Sequence, residues 1–145
     1  MIDAEILFIV ANGVALLGWV LLVFAPLWPA TARLLSAVLI PGLLAIAYAV
    51  LIVSQSGKGE GSLASLAELH LAFANPYMLL VGWIHYLVFD LFIGAWQCRD
   101  AQREGIRHVY ILPSLTLTCL VGPIGLLSYL ILRGALRRKL AIVQS

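Results

Sequence analysis

The chain has 145 residues, of which 63% are hydrophobic and 11% are charged, and its mean hydropathy is +1.04. Soluble domains carry about 25% charged residues, so this composition excludes an ordinary soluble protein and predicts an all-α integral membrane protein. The net charge of +2, without a basic stripe, argues against a nucleic-acid partner. Cys98 and Cys119 match neither a zinc spacing nor a disulfide framework.

Four apolar runs are long enough to cross a bilayer, which takes about 20 helical residues. They cover residues 6–28, 34–53, 76–98 and 109–132, and together they predict a four-transmembrane-helix bundle forming a single domain over residues 1–145. The first run lacks the basic start and the short apolar stretch of a secretory signal, so we interpret it as a permanent helix. The stretch before it, MIDAE, contains neither Arg nor Ser, so no transit peptide is expected.

Several residues mark bends and ends of these helices. Pro41 is expected to bend the second span. Asn75 is predicted to cap the third span and Pro76 to be its first helical residue. Beyond Trp96 this helix is expected to continue as a polar helix to Glu104, with Gly105 ending it.

The segment 54–75 between the second and third spans is the longest connection. Its first part, SQSGKGEG, is typical of a flexible Gly/Ser loop. The following SLASLAELHLAFAN predicts a short interfacial helix capped by Ser62, with Leu63, Leu66, His70 and Phe73 on one face. Two roles are predicted for this short helix with equal weight: a surface flap that covers the ends of the spanning helices, or a functional lid.

The basic residues hardly distinguish the two possible orientations of a four-span protein in the membrane. Four spans place both ends of the domain on one side, with five basic residues there against four on the other. The cluster Arg133, Arg137, Arg138 and Lys139 is the densest, and it favours a cytoplasmic location for both ends.

Polar side chains at membrane depth are the main functional candidates. A charge near the centre of a span costs roughly 2.5–3.5 kcal/mol on insertion scales, so such residues should face the protein interior. The set comprises Asn12 in the first span, His85 and Asp90 in the third, and Thr116 and Thr118 in the fourth.

His85 and Asp90 are predicted to act separately. On a regular helix they point about 140° apart, which makes a direct bond between them unfavourable. One stripe of the third span carries Asp90 with Trp83, Tyr86, Gly94 and Gln97, and another carries His85 with Phe89, Phe92, Trp96 and Arg99. This pattern predicts a central helix that the other helices surround.

The two side chains favour acid–base catalysis, because imidazole and carboxyl groups exchange protons well near neutral pH. The alternative is that each only joins helices through hydrogen bonds. No HxxxH or HExxH pair is present, so no metal centre is predicted.

Further residues are candidates for ligand binding. Trp83, Tyr86, Phe89, Phe92 and Trp96 are suited to line a pocket for a flat or polyene ligand, although their types and positions favour ordinary packing and interfacial aromatic belts. Arg99, Asp100 and His108 follow the third span, and they fit either a solvated helix end or recognition of a polar or anionic ligand end. In the fourth span, GPIG at 122–125 breaks the helix and frees backbone carbonyls, for which Thr116 and Thr118 are candidate partners.

The stretch GWIHYLVFDLFIGAW at 82–96, followed by RDAQREGIRH and LPSLTLTCLVGPIGLLSYL, resembles the abscisic-acid-deficient-four family of small membrane proteins in plants, algae and bacteria. The resemblance is strong over residues 76–130. It implies a four-helix membrane bundle. The plant members are required for converting violaxanthin to neoxanthin, a redox-neutral epoxide opening that yields an allene. Asp90 and His85 match signature positions and are the predicted acid and base.

Three functions follow as hypotheses. The first is an intramembrane carotenoid or isoprenoid isomerase. The second is a non-catalytic carotenoid-binding or accessory subunit of a photosynthetic membrane complex. The third is a proton-coupled carrier that uses Asp90 as a relay.

The expected surroundings of the protein follow from the same resemblance. The expected partners are membrane lipid, a carotenoid or other isoprenoid, and a second copy or a membrane-complex subunit. No cofactor is predicted beyond a bound carotenoid or lipid. The expected location is a bacterial inner or photosynthetic membrane, with the plastid membrane for plant relatives.

Overall fold

The computed structural model describes residues 2–27, 34–58 and 60–143, with side chains up to residue 136. The described residues contain helices and no strand, which confirms the all-α prediction. The helices are α1 (Ala4–Val23), α2 (Leu35–Gln55), α3 (Leu66–Phe73), α4 (Pro76–Arg103), α5 (His108–Val121) and α6 (Pro123–Val143).

Among the described residues, three helices, α1, α2 and α4, are long and apolar enough to span a membrane. They correspond to the first three predicted spans. The predicted end of the first span at Trp28 lies outside the described residues, as does Arg33. Asn75 caps α4 as predicted, with its Oδ1 accepting from the Tyr77 amide at 2.9 Å. Gly105 has a φ of 68° and follows the end of α4, which confirms the predicted stop.

Pro41 perturbs α2 through the turn that precedes it. Residues Leu35–Leu39 form a π-helical turn, and an α-helix follows from Ile40. Proline provides no backbone N–H, and a local change of helix type re-pairs the backbone groups that this loss affects. The buried Ser36 lies in this turn and donates to the Gly18 carbonyl at 3.0 Å, which ties α2 to α1.

The short helix α3 begins three residues later than predicted. Ser65, and not Ser62, is its N-cap, and its hydroxyl accepts from the Glu68 amide at 3.2 Å. Leu63 and Leu66 are 83% and 85% exposed, so this apolar edge points away from the protein. Such an edge fits the predicted contact with the membrane surface. Phe73, at the other end, covers Gly82 of α4.

Helix α4 is the central element, as its two polar stripes predicted. It contacts α1, α2, α3, α5 and α6. Its buried residues form one continuous core with buried residues of α1, α2, α5 and α6. The close fit to α1 depends on Gly94, where a Cβ would lie 2.7 Å from the Trp19 ring.

The chain after α4 turns back on itself as a hairpin. Helix α5 begins where α1 ends, since the His108 Nε2 atom lies 3.0 Å from the Val23 carbonyl oxygen. The last turn of α5 lies beside the middle of α4, where the Tyr86 hydroxyl donates to the Cys119 carbonyl at 3.2 Å. The chain therefore enters the membrane from the side on which α4 ends.

Helix α6 then runs back along α5 to that same side. The Ser128 hydroxyl donates to Ser114 at 3.0 Å, and the Tyr129 hydroxyl donates to Asp100, near the end of α4, at 2.6 Å. We call α5 and α6 the hairpin, and residues 121–123 its tip.

The predicted fourth span over 109–132 is therefore not confirmed. Helix α5 has 14 residues and a length of about 21 Å, which is less than the roughly 30 Å of a bilayer core. Gly122 and Pro123 then reverse the chain direction. The four-helix bundle becomes three spanning helices and a hairpin that enters and leaves on one side.

The hairpin also corrects the expected orientation. Asp3, Glu5, Glu60 and Glu68 lie where α1 and α4 begin, and we call this the acidic side. Arg99, Arg103, Arg107 and Arg133 lie where α4 ends, and we call this the basic side. Residues near Asp3 and residues near Arg133 are thus on opposite sides, whereas four spans would have placed them together.

Candidate functional site

Asp90 lies near the midpoint of the 28-residue helix α4 and faces the tip of the hairpin. Its Oδ2 atom is buried and has no hydrogen-bond partner among the described residues. Buried polar atoms in native proteins are almost always paired, and an intramembrane carboxyl group is costly. This unsatisfied atom is the strongest functional signal that the structure provides.

Tyr86 is the side chain that links Asp90 to the hairpin. It precedes Asp90 by one turn of α4, and its hydroxyl interacts with the Asp90 carboxyl group. The same hydroxyl donates to the Cys119 carbonyl at 3.2 Å. A phenol has a single proton, so it donates to only one of these acceptors at a time. When Tyr86 donates to the Cys119 carbonyl, the Asp90 carboxyl group therefore receives no hydrogen bond from it.

The Cys119 carbonyl needs Tyr86 because of Pro123. In a continuous helix this carbonyl would accept from the N–H of the residue four positions later, and proline has no N–H. Tyr86 supplies the missing donor from another helix. The sequence contained this signal, since counting back four residues from Pro123 identifies the orphaned acceptor. The predicted partners Thr116 and Thr118 do not fill this role, because their hydroxyls donate to Leu112 and Ser114.

The two glycines of GPIG are required by close approaches. Gly122 has a φ of 34°, and a Cβ there would lie 2.7 Å from Asp90 Oδ1. A Cβ on Gly125 would overlap the backbone of Thr118. The tight tip therefore brings the hairpin backbone directly against the carboxyl group of Asp90.

The buried side-chain amide of Gln97, three helical turns after Tyr86 on α4, holds both helices of the hairpin. Gln97 Nε2 donates to Thr118 Oγ1 at 2.9 Å and lies 3.4 Å from the Gly125 carbonyl. Gln97 and Thr118 are both completely buried. The predicted ligand-binding residue Thr118 is thus part of a structural network, and Gln97, which lies on the predicted stripe but was not among the candidate site residues, is its centre.

An ion cluster closes the hairpin on the basic side. Arg133 Nε lies 2.6 Å from Asp100 Oδ2, and Arg133 Nη2 lies 2.9 Å from Glu104 Oε1. The buried Tyr129 also donates to Asp100. The structure therefore engages the predicted ligand-binding residue Asp100 in holding α6 to α4. Arg133 and Tyr129 were missed, because nothing in the linear sequence indicates that α6 returns to the end of α4.

A groove leads toward Tyr86 from the acidic side. It has a volume of about 650 Å³ and lies between the start of α1, the end of α3 and the first half of α4. Trp83, His85 and Tyr86 line it together with Phe8 and Phe73. Trp83 is held in place by a hydrogen bond of 3.2 Å from its Nε1 to Asn12 Oδ1. Three predicted site residues, Trp83, His85 and Tyr86, thus line one groove, and a fourth, Asn12, holds one of them in place.

His85 lies on a different face of α4 from Asp90, as the helical spacing predicted. Its ring is exposed and contacts Phe89, with centroids 4.6 Å apart, and Tyr48, at 6.1 Å. His85 and Phe89 also line a smaller groove of about 240 Å³ beside α2. The expectation that every intramembrane polar group faces the protein interior is therefore wrong for His85.

The remaining predicted residues lie apart from the groove. Phe92 is under the Arg99 guanidinium at 5.8 Å, and Trp96 packs edge-on against Tyr129. Thr116 is exposed, and His108 joins α5 to α1. Within the described part of the chain, no group of three or more His, Cys, Asp or Glu side chains is placed to hold a metal ion.

These features define a class: a helical membrane protein with three spanning helices and a hairpin whose tip meets a carboxyl group at mid-depth. A family model described as ABA DEFICIENT 4-like (ABA4-like) matches residues 6–129. The chain belongs to this family. No significant match is found among curated proteins or among solved structures.

Proposed function

We propose that this protein is an intramembrane isomerase of a carotenoid or related isoprenoid, and that Asp90 is its acid–base group. The observation that carries the proposal is the buried, unpartnered Oδ2 atom of Asp90 at the tip of the hairpin. A group that is costly to bury and is left unpaired is typical of a site where a reacting molecule supplies the missing contact.

The reaction that fits one such group is the opening of an epoxide to an allene. In its acid form, Asp90 donates its proton to the epoxide oxygen as the carbon–oxygen bond breaks. The resulting carboxylate removes a proton from the neighbouring vinylic carbon, and the electrons of that carbon–hydrogen bond form the new double bond. The acid is regenerated and no redox partner is consumed, so atoms and electrons balance within one residue and one substrate.

Tyr86 and the hairpin tip support this role by fixing the position of the carboxyl group. The Tyr86 hydroxyl interacts with Asp90 and is itself tied to the Cys119 carbonyl. The Gly122 backbone lies so close to the carboxyl group that a Cβ there would be 2.7 Å from Asp90 Oδ1. A catalytic group held in place in a dry site needs little reorganisation during the reaction. The groove beside Tyr86 is suited to hold the polyene chain.

The test is Asp90→Asn, expressed in a pigment-producing host that accumulates the epoxidised precursor. The amide keeps the size of the side chain and loses its ability to transfer a proton. We expect the conversion rate to fall about 10²-fold or more, with unchanged amounts of protein in the membrane. The matched control is Asp3→Asn, because asparagine also caps helices and Asp3 lies at the exposed start of α1.

The groove also supports a second candidate, a non-catalytic carotenoid-binding subunit. In that case pigment co-purifies with the wild type and with Asp90→Asn in equal amounts, and the pigment itself is chemically unchanged. Full conversion by Asp90→Asn contradicts the isomerase proposal. Pigment binding without conversion by the wild type supports the second candidate.

A further inference from the structure

The hairpin gives the protein a strong charge asymmetry across the membrane. The end of α4, the α4–α5 connection and the returning α6 place Arg99, Arg103, Arg107, Arg133, Arg137, Arg138 and Lys139 in segments on the basic side. The acidic side has Lys58 alone among the described basic residues. Seven against one is a decisive bias, and short basic segments remain in the cytoplasm. The acidic side therefore faces away from the cytoplasm.

The groove opens in the half of the membrane that belongs to the acidic side. Its walls are the first two turns of α1, Phe73 at the end of α3, and the first half of α4 from Pro76 to Tyr86. A molecule that enters from this half meets the aromatic walls of the groove, which include Tyr86, and Tyr86 interacts with Asp90 one turn further along α4.

Glu5 gives the mouth of this groove a charge. It is exposed, lies in the first turn of α1 and lines the groove. An ionised carboxylate accepts hydrogen bonds and repels anions. In the described part of the chain, Asp3, Glu60 and Glu68 are the other acidic residues on this side, and Lys58 does not line the groove.

We propose that the groove is loaded from the membrane leaflet opposite the cytoplasm, and that Glu5 selects ligands whose polar end is a neutral hydrogen-bond donor over ligands with an anionic end. The occupant is a long, uncharged amphiphile with a hydroxyl end at Glu5 and an apolar chain directed toward Tyr86. The proposal rests on the proposed function only in treating the groove as the entrance to that site.

The sidedness is tested by labelling Ser62→Cys and Gln102→Cys in intact cells with a membrane-impermeant maleimide. Both residues are exposed, whereas the native Cys98 is buried and Cys119 is partly buried, so the wild type supplies the background. We expect labelling of Ser62→Cys in intact cells and of Gln102→Cys only after the membrane is opened. The reverse pattern, or labelling of both in intact cells, overturns the proposal.

The selection is tested with two polyenes of equal length, all-trans-retinol and all-trans-retinoate, titrated at pH 8.5 into the full chain in nanodiscs made of neutral lipid, with quenching of the protein's tryptophan fluorescence as the readout. We expect retinol to bind about tenfold more tightly than retinoate, which corresponds to about 1.4 kcal/mol. Glu5→Gln should remove most of this preference. The matched control Glu68→Gln, an acidic residue on the same side that does not line the groove, should retain it.

Equal or tighter binding of retinoate by the wild type overturns the proposal, and so does saturable binding of neither probe. A loss of preference in Glu68→Gln equal to that in Glu5→Gln overturns the assignment to Glu5. The same titrations in an Asp90→Asn background separate the two proposals, because binding and sidedness do not require turnover. A protein that never isomerises a carotenoid can still pass these tests.

Discussion

Asp90 and Gly122 constrain each other at the tip of the hairpin. The φ of 34° at Gly122 belongs to a region that side chains rarely adopt, and the space that a Cβ would need is filled by the Asp90 carboxyl group. The absence of a side chain at Gly122 therefore permits the turn and also leaves space for the Asp90 carboxyl group. Because both the backbone conformation and the contact with Asp90 require a glycine, even alanine at position 122 should be unfavourable.

Gly122→Ala should destabilise the protein by about 1–3 kcal/mol, the cost of a strained backbone position, and displace Asp90. Gly13→Ala is the matched control, because a Cβ at Gly13 meets nothing within 4 Å and alanine favours the helix. Thermal unfolding in detergent and the conversion assay together measure both effects. A Gly122→Ala protein with wild-type stability and activity would refute the proposed contact.

At the scale of single residues, the sequence identified the chemistry but not its partners. Asp90 and the separation of Asp90 from His85 follow from helical spacing alone, and the structure agrees with that spacing. The sequence could not indicate that His85 would be exposed, because exposure depends on which neighbours cover each face of α4. The role of Tyr86 as donor to Cys119 required the two helices to be placed side by side.

The hairpin is held at three levels along α4: Tyr86 near the tip, Gln97 in the middle and Asp100 with Glu104 at the base. The base is an ionic contact with Arg133, and these side chains are 27% exposed or less. Removing one partner of such a cluster leaves carboxylates that are partly desolvated and less well compensated.

Arg133→Met should lower the free energy of unfolding, because the partly desolvated Asp100 and Glu104 carboxylates lose their guanidinium partner. Arg103→Met removes an exposed guanidinium near the end of α4 and should change the stability by about 0.5 kcal/mol or less. Denaturation in mixed micelles gives both values. If the two variants lose the same stability, the cluster at the base of the hairpin does not hold α6.

The helices themselves were largely predictable, because apolar runs, the Asn75 cap and the stop at Gly105 are local signals. The fold of the last two helices was not. The apolar run 109–132 has the length of a span, and a Gly-Pro break within it is compatible with a kinked span as well as with a reversal. Only the pairing of α6 with α5 and with the end of α4 distinguishes these outcomes.

For the whole molecule, the direction of the last helix decides where the charges lie. A fourth span would separate the α4–α5 connection from the segment after Leu132 and divide the basic residues almost evenly. The hairpin places both on the basic side. One helix reversal thus converts an undecided orientation into a strongly biased one.

Gln102→Cys and Gly134→Cys should be labelled from the same side of the membrane. Gln102 is exposed at the end of α4, and Gly134 is exposed on α6 with nothing within 4 Å of its Cβ position. Maleimide labelling of sealed vesicles of known orientation provides the measurement. Ser62→Cys serves as the marker for the opposite side, and labelling of Gly134→Cys together with Ser62→Cys would restore the four-span fold.

The sequence by itself determined that this is a helical membrane protein of a recognisable family, and where its first three spans lie. It also identified Asp90 as a residue whose placement within the membrane costs free energy and therefore points to a function. These properties depend on hydrophobicity and on local periodicity, which are written along the chain. The tertiary structure decided that the last helix returns, that Tyr86 completes a backbone broken by Pro123, and that the groove opens on the acidic side. These three features depend on which backbone and side-chain groups of different helices form hydrogen bonds and contacts with one another. Local sequence patterns do not specify that pairing.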